Sequence, residues 1–181
     1  MLIVNLFAGP GAGKSTIAAY VFARLKMAGV NCELAPEFAK DKVWEHNQTA
    51  LDNQIYVFAK QYYRITRCAD QVDVVITDSP VALSALYNRD PDLNKPLGDM
   101  IRIVNGRYDL LNYFVNRVKP YNPAGRLQTE QQAREMDVRV KDLMSGLDMP
   151  YRVIDGDLQS ADKIVCDVLS YLEKKNGIVR N

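Results

Sequence analysis

The stretch that decides the fold is residues 1–25, MLIVNLFAGPGAGKSTIAAYVFARL, in which a glycine-rich segment separates two apolar patterns. Leu2–Phe7 is a short apolar run rich in β-forming residues, which predicts a strand buried on both faces. From Lys14 onward the apolar residues recur at helical spacing, and Gly29 lies where such a helix would end. The glycines therefore lie between a buried strand and the start of a helix.

This context identifies GPGAGKST as a phosphate-binding loop, or P-loop. Its glycines let the backbone turn N–H groups toward an anion, and the helix start adds a partial positive charge. Lys14 can reach the outer phosphates of ATP, and Ser15 can offer its hydroxyl to Mg²⁺. The predicted nucleotide contacts are Gly9, Pro10, Gly11, Ala12, Gly13, Lys14, Ser15 and Thr16. Ala8 stands at the position where the motif has glycine. The alternative to a P-loop is that this segment is a chance glycine-rich turn.

Composition sets limits on the class of protein. The chain has 181 residues, of which 48% are hydrophobic and 25% are charged, and we expect one domain over residues 1–181. The net charge of +1 gives no global electrostatic argument for binding nucleic acid. No apolar run approaches membrane-spanning length, so the sequence predicts a cytoplasmic protein without a membrane partner.

Further along the chain, strand patterns alternate with helix patterns. Besides the first, strands are predicted at residues 31–35, 72–77, 112–116 and 151–154. The longest helix is expected over 51–69, with an apolar stripe formed by Leu51, Ile55, Phe58, Tyr62, Ile65 and Ala69. Such alternation predicts an α/β fold, a parallel sheet with helices on both faces, in which ligands bind at the carboxyl ends of the strands.

Two carboxylates follow predicted strands and are candidate catalytic residues. Asp78 ends a buried strand, as the Mg²⁺-associated carboxylate of P-loop enzymes does, although an Asp there is also a common helix cap. Glu37 follows the second strand, where a carboxylate can accept the proton of an acceptor hydroxyl; the alternative is a solvated turn residue. The sequence leaves open which of the two is the general base.

A basic segment after the fourth strand is typical of a lid, at about residues 118–135. Arg126 is the first choice for a catalytic arginine that stabilises the transferring phosphoryl group, and Arg134 is the second. On the long helix, Gln61 could hydrogen-bond a base edge and Arg64 could bind an acceptor phosphate. Asp157, which follows the fifth strand, is a candidate nucleotide contact.

The segments PEFAKD, VVITDSP, NRVKPYNPAGRLQTEQQA and YRVIDGD, together with the P-loop, carry a resemblance over nearly the whole chain. The sequence resembles small P-loop kinases of the thymidylate kinase and nicotinamide riboside kinase type. More narrowly, it is similar to a set of phage-encoded proteins, some of which are described as DNA kinases acting on 5-hydroxymethyluridine during thymidine hypermodification.

This resemblance implies a three-layer α/β/α sandwich with sheet order 2-3-1-4-5, a helical lid, and the use of ATP and Mg²⁺. By position in the motifs, Lys14 and Ser15 match the P-loop residues, Asp78 matches the acidic residue after the third strand, and Arg126 matches the lid arginine. A phage enzyme of this kind would act in the host cytoplasm.

The leading hypothesis is therefore a kinase that moves the γ-phosphoryl group of ATP to a hydroxyl of a nucleoside-type acceptor, with 5-hydroxymethyluridine in DNA as the best candidate. A free nucleoside or nucleoside monophosphate is the close alternative. A regulatory P-loop NTPase and a nucleotide-binding module without catalysis are the other classes considered. The oligomeric state stays open, and a homodimer is compatible with the sequence.

Overall fold

The computed structural model of the protein describes residues 1–118, 120–122 and 129–179. The strands are β1 (Leu2–Phe7), β2 (Cys32–Ala35), β3 (Val74–Thr77), β4 (Asp109–Asn116) and β5 (Arg152–Asp155). They form one parallel sheet in the order β2-β3-β1-β4-β5. This order confirms the fold expected from the sequence.

Helices connect the strands and cover both faces of the sheet. They are α1 (Lys14–Met27), α2 (Phe38–Trp44), α3 (Gln48–Asp52), α4 (Gln54–Thr66), α5 (Leu83–Tyr87), α6 (Asn94–Asn105), α7 (Glu130–Gly146) and α8 (Leu158–Val179). A short 3₁₀ helix, Pro91–Leu93, precedes α6. None of the helices in the described ranges combines the length and the apolar character needed to cross a membrane.

The alternating side chains of β1 divide the core into two layers. Leu2, Val4 and Leu6 belong to one buried cluster, which also contains the inner faces of α1 and α8. Ile3 and Phe7 belong to the other cluster, to which α4, α5, α6 and α7 contribute. Both faces of the central strand are thus covered, as its continuous apolar sequence predicts.

The helix expected over 51–69 differs from the prediction because it is broken at Asn53. This residue has a non-helical backbone (φ −91°, ψ 88°), and its side chain accepts a hydrogen bond from the N–H of Tyr56, which caps α4. The predicted apolar stripe is also displaced, since Ile55 is 44% exposed while Gln54 and Gln61 are buried. Two glutamines therefore take inward positions that an apolar periodicity cannot identify.

The N-terminal end of α7 follows the sequence closely. Thr129 and Gln132, three residues apart in the sequence, form a capping box: Thr129 accepts a hydrogen bond from the N–H of Gln132, whose side chain accepts one from the N–H of Thr129. Of the proposed lid at about 118–135, residues 119 and 123–128 lie outside the described residues.

Candidate active site

The P-loop connects β1 to α1 at the carboxyl edge of the sheet. Gly11 and Gly13 adopt φ values of +79° and +99°, in the left-handed region that favours glycine. Gly13 is the residue before α1. The N–H groups of the first turn of α1, which have no partner within the helix, therefore lie at this loop. The backbone has the conformation that the sequence predicts for an anion cradle.

Lys14 is turned back onto the loop. Its ammonium group donates to the carbonyl oxygens of Ala8 at 2.8 Å and Gly9 at 3.0 Å. Burial lowers the pKa of Lys14, while the nearby carboxylates of Glu37 and Asp78 act in the opposite direction. The structure therefore brings these three predicted catalytic residues into one electrostatic cluster.

Asp78 lies directly after β3 and is only 4% exposed. Its Oδ1 atom is buried and has no hydrogen-bond partner among the described residues. An unpaired carboxylate oxygen beside a P-loop whose Ser15 hydroxyl is exposed fits a hard cation such as Mg²⁺. No cluster of three or more His, Cys, Asp or Glu side chains that could bind a metal occurs among the described residues. The phosphates of a nucleotide would thus complete such a site.

Glu37 occupies the N-cap position of α2 and is partly exposed. Burial raises its pKa above the usual value of 4.5, and the charge of Asp78 raises it further, while Lys14 opposes both effects. A carboxylate with a raised pKa that lies near a lysine is a suitable proton acceptor.

The two substrate contacts predicted on the long helix have structural partners. Gln61 is buried: it accepts a hydrogen bond from the N–H of Phe38 at 2.8 Å and donates to Thr77 Oγ1 at 3.3 Å. Arg64 pairs with Asp41 and donates to the carbonyl oxygen of Glu37 at 3.3 Å. Gln61 still reaches the cavity wall, whereas Arg64 is not among the residues that line it.

One cavity of about 360 Å³ joins the P-loop to a chamber between α2, α3, α4 and α5. Glu37 and Asp78 line it together with the loop. The apolar walls of the chamber are formed by Val43, Leu51, Val57 and Leu83. Hence a phosphate donor and a partly apolar acceptor could occupy adjoining parts of a single cavity.

Gln54 is a buried polar residue of the chamber that was not selected as a site residue from the sequence. It is 6% exposed, its amide nitrogen donates to the carbonyl oxygen of Leu51 at 2.6 Å, and its Oε1 atom has no partner among the described residues. The signal was present in the sequence, because Gln54 and Gln61 lie two helical turns apart on one face. Only the structure shows that the Gln61 amide is bonded through both its oxygen and its nitrogen, whereas the oxygen of Gln54 has no partner among the described residues.

Tyr87, Arg89 and Lys40 are among the other polar side chains that line the chamber. Burial and the charge of Glu37 raise the pKa of Tyr87 to about 12, so its hydroxyl is protonated at neutral pH. Arg89 forms an exposed ion pair with Asp52 at 3.4 Å. Lys40 is also exposed. The polar lining thus includes a phenol and two cations, which the sequence analysis did not select.

The loop after β5 packs against the P-loop. A Cβ atom at Gly156 would lie 2.5 Å from the carbonyl oxygen of Ala12 and 2.9 Å from that of Asn116, so only glycine fits there. Asp157 is the next residue, and its Oδ1 accepts a hydrogen bond from the N–H of Ser160 in the first turn of α8. This predicted nucleotide contact lies beside the loop and also stabilises a helix end.

The structure describes only one of the two candidate lid arginines, Arg126 and Arg134. Arg126 lies outside the described residues. Arg134 forms an ion pair with Glu130 on α7 at 2.8 Å, with its side chain 63% exposed, and it does not line the cavity. Arg117, which the sequence analysis did not select, does not line the cavity either, but it lies against the P-loop at Gly11.

Among solved structures, one similar to this chain is that of deoxyadenosine kinase from M. mycoides with bound dATP. The two share 18% sequence identity, the match covers 93% of this chain and 99% of that chain, and the TM-score is 0.57. This likeness supports the fold. No curated protein sequence matches the chain.

A protein-family model, described as an AAA domain, matches residues 3–161. The matched range runs from β1 into α8 and includes the P-loop, Glu37 and Asp78. The protein therefore belongs to the AAA domain family of P-loop proteins.

Proposed function

We propose that this protein is an ATP-dependent kinase that transfers the γ-phosphoryl group to a hydroxyl of a nucleoside-type acceptor. The observation that carries the proposal is the single cavity that the P-loop, Glu37, Asp78 and the chamber share. A simple NTPase needs only room for water next to the γ-phosphate, whereas this cavity extends beyond the P-loop into a partly apolar chamber, as an organic acceptor would require. We take residues 1–181 to be one kinase domain, with its lid at about 118–135.

Glu37 is proposed as the general base. In the reaction, the acceptor oxygen bonds to the γ-phosphorus, the bond to the bridging oxygen of ADP breaks, and the acceptor proton goes to Glu37. The raised pKa of Glu37 makes it a better proton acceptor than an ordinary carboxylate. Asp78 is the weaker candidate for this role, since its unpartnered oxygen is better suited to a metal.

The other catalytic roles follow the charges of the site. Ser15 and Asp78 would hold Mg²⁺, which, when bound, neutralises charge on the β- and γ-phosphates. Lys14 would exchange its bonds to the Ala8 and Gly9 carbonyls for phosphate oxygens. Arg126 is proposed, on the resemblance alone, to stabilise the transferring group from the lid.

The lining of the chamber suits a nucleobase, so the nucleobase is proposed as the part of the acceptor that the protein recognises. Gln54 offers a buried hydrogen-bond acceptor, which fits an N–H group such as the imide of uracil, between the apolar walls. Gln61, whose amide is engaged with Phe38 and Thr77, supports that wall. On this basis and on the resemblance to the phage set, we propose 5-hydroxymethyluridine in phage DNA as the acceptor.

For a DNA acceptor the target nucleotide would be flipped out of the duplex into the chamber. Lys40 and Arg89, two exposed cations of the cavity lining, could then contact neighbouring phosphates. Arg64 and Arg134 remain candidates for more distant phosphate contacts. A free nucleoside or nucleoside monophosphate would need none of these contacts outside the chamber.

The experiment is an acceptor screen with γ-labelled ATP and Mg²⁺. The panel contains free thymidine and 5-hydroxymethyluridine, their monophosphates, plain DNA, and DNA that contains 5-hydroxymethyluridine. We expect label only on the modified DNA, with activity falling steeply as salt is added. The Lys14→Ala variant serves as the control for contaminating kinases.

Other outcomes change the proposal in defined ways. Label on a free nucleoside or monophosphate would move the enzyme to nucleotide salvage and remove DNA from the proposal. ATP consumption that no acceptor accelerates would contradict the kinase assignment and favour a regulatory NTPase.

A further inference from the structure

A second buried cation lies beside the P-loop, and the roles proposed above do not use it. Arg117 follows β4, and its side chain is only 4% exposed. Its Nη2 atom is 3.1 Å from Asp137 Oδ2, while its Nε and Nη1 atoms are buried without a hydrogen-bond partner among the described residues. Burying donors without acceptors is unfavourable, so such a side chain calls for an additional partner.

Asp137 joins Arg117 to the start of the loop. It lies on α7, its side chain is 19% exposed, and its Oδ1 accepts a hydrogen bond from the N–H of Gly9 at 2.6 Å. The helix packs so tightly here that a Cβ atom at Gly9 would clash with the carbonyl oxygen of Ala133. A single carboxylate thus fixes the guanidinium relative to the loop.

The unpartnered side of Arg117 approaches the loop at Gly11. A Cβ atom at Gly11 would lie 3.1 Å from Nη1 of Arg117 and 2.9 Å from ring atoms of Tyr121. The guanidinium carbon of Arg117 lies 5.9 Å from the centre of the Tyr121 ring. The guanidinium is therefore held against the glycine segment itself, and a side chain at Gly11 would interfere with it.

Arg117 adds a second cation to the loop, beside Lys14. Arg117 is close enough to Lys14 to lower the pKa of that ammonium group, and Asp137 acts in the opposite direction. Two cations share the loop with backbone N–H groups, while Asp137 engages only one nitrogen of the guanidinium. The Nε and Nη1 atoms of Arg117 are left without an acceptor among the described residues, and the oxygens of an anion bound at the loop would supply one.

We propose that Arg117 is a phosphate-contacting residue of the nucleotide site, and that Asp137 is its positioning residue. The ligand is the phosphate chain of a nucleoside triphosphate, which Arg117 binds through Nε and Nη1, the nitrogens that have no hydrogen-bond partner among the described residues. The inference rests on the nucleotide site of the proposed function and is independent of which acceptor is used.

The experiment measures binding by calorimetry with tripolyphosphate, ATP and adenosine at one fixed Mg²⁺ concentration. Arg117→Ala is expected to weaken tripolyphosphate and ATP about 10- to 100-fold, and Arg117→Lys less, because lysine keeps the charge without the planar fork. The matched control is Arg152→Ala on β5, which removes one positive charge and an ion pair with Asp167 of α8. Arg152→Ala should change the dissociation constants of tripolyphosphate and of ATP by less than about twofold.

The role of Asp137 is tested by a double-mutant cycle with Arg117. Asp137→Asn keeps an oxygen that can accept the Gly9 hydrogen bond but loses the charge that holds Arg117. The substitution should change the tripolyphosphate dissociation constant by a larger factor when Arg117 is present than in the Arg117→Ala background, where only the loss of the Asp137 charge near Lys14 remains. A change of equal size in both backgrounds would overturn the positioning role.

Three results would overturn the assignment of Arg117. One is an unchanged tripolyphosphate affinity in Arg117→Ala, or in Arg117→Lys should the alanine variant fail to fold. Another is loss of ATP affinity with tripolyphosphate affinity retained, which would assign Arg117 to the nucleoside part. The third is a native protein that binds no tripolyphosphate. A native protein that binds tripolyphosphate but transfers no phosphate would contradict the proposed function and leave this inference standing.

Discussion

The two parts of the cavity, the P-loop and the chamber, differ in which groups of the polypeptide form them. The P-loop is one contiguous segment in which backbone N–H groups and glycine conformations form the binding surface. The chamber is built from side chains on α2, α3, α4 and α5, which come from separate parts of the chain. The P-loop therefore depends on the backbone and a few charges, whereas recognition of the proposed acceptor would depend on individual side chains of the chamber. Substitutions in the two parts should therefore have separable effects.

The largest effect is expected at the phosphate end. Lys14→Ala should lower turnover by about a thousandfold, because it removes a charge that contacts the transferring phosphoryl group. The fold should persist, which circular dichroism and the Tm can establish, since the carbonyl oxygens of Ala8 and Gly9 can then accept from water. Turnover close to that of the native enzyme in a folded variant would refute the assignment of the loop.

The next largest effect is expected where the two parts meet. Glu37→Gln should lower kcat by about a hundredfold with little change in the KM for ATP, because only proton acceptance is removed. The ionised form is the active base, so kcat should rise with pH through the pKa of Glu37, which burial places above 4.5. A pH–rate profile of both enzymes checks this, since the limb due to Glu37 should vanish in the variant.

Stability provides the control for this prediction. The folded protein holds the Glu37 proton more tightly than the unfolded chain does, because burial disfavours the charge. The contribution of Glu37 to stability therefore falls as the pH rises through its raised pKa. Glu37→Gln should not lower the Tm at pH 7, and a marked fall would mean that the residue is structural.

A smaller effect should separate the two glutamines of α4. Gln54→Leu should raise the KM for the acceptor about tenfold and leave the KM for ATP unchanged, since it removes one hydrogen bond to the base. Gln61→Leu should instead lower the free energy of unfolding by about 1–3 kcal/mol, because the N–H of Phe38 loses its acceptor. Steady-state kinetics and urea unfolding of both variants provide the comparison, and identical behaviour would show that the two amides are equivalent.

The smallest effect is expected on the outer face of α7. Arg134→Ala removes only an exposed ion pair with Glu130, which contributes about 0.5 kcal/mol or less to stability. Turnover on a short acceptor should stay within about twofold of native, since the contact is remote from the cavity. A tenfold loss would instead place Arg134 at the phosphoryl group.

The difference between the two parts also explains how much could be predicted. The P-loop and the strand-terminal carboxylates Glu37 and Asp78 follow from local patterns, because the carboxyl ends of parallel strands must meet at one edge. The sheet order came from a resemblance and is confirmed. The roles of Gln54 and Arg117 could not be assigned from the sequence, since what distinguishes them is that Gln54 Oε1 and Arg117 Nε and Nη1 have no hydrogen-bond partner among the described residues.

The break at Asn53 has a consequence for how the acceptor range of this protein could change. It separates α3 from α4, and α3 has no buried residue although Leu51 and Asp52 line the chamber. Substitution or lengthening of α3 would therefore reshape the chamber without disturbing the core or the phosphate loop. Evolution, or a protein engineer, could exchange this five-residue helix to admit new acceptors while the chemistry remains the same.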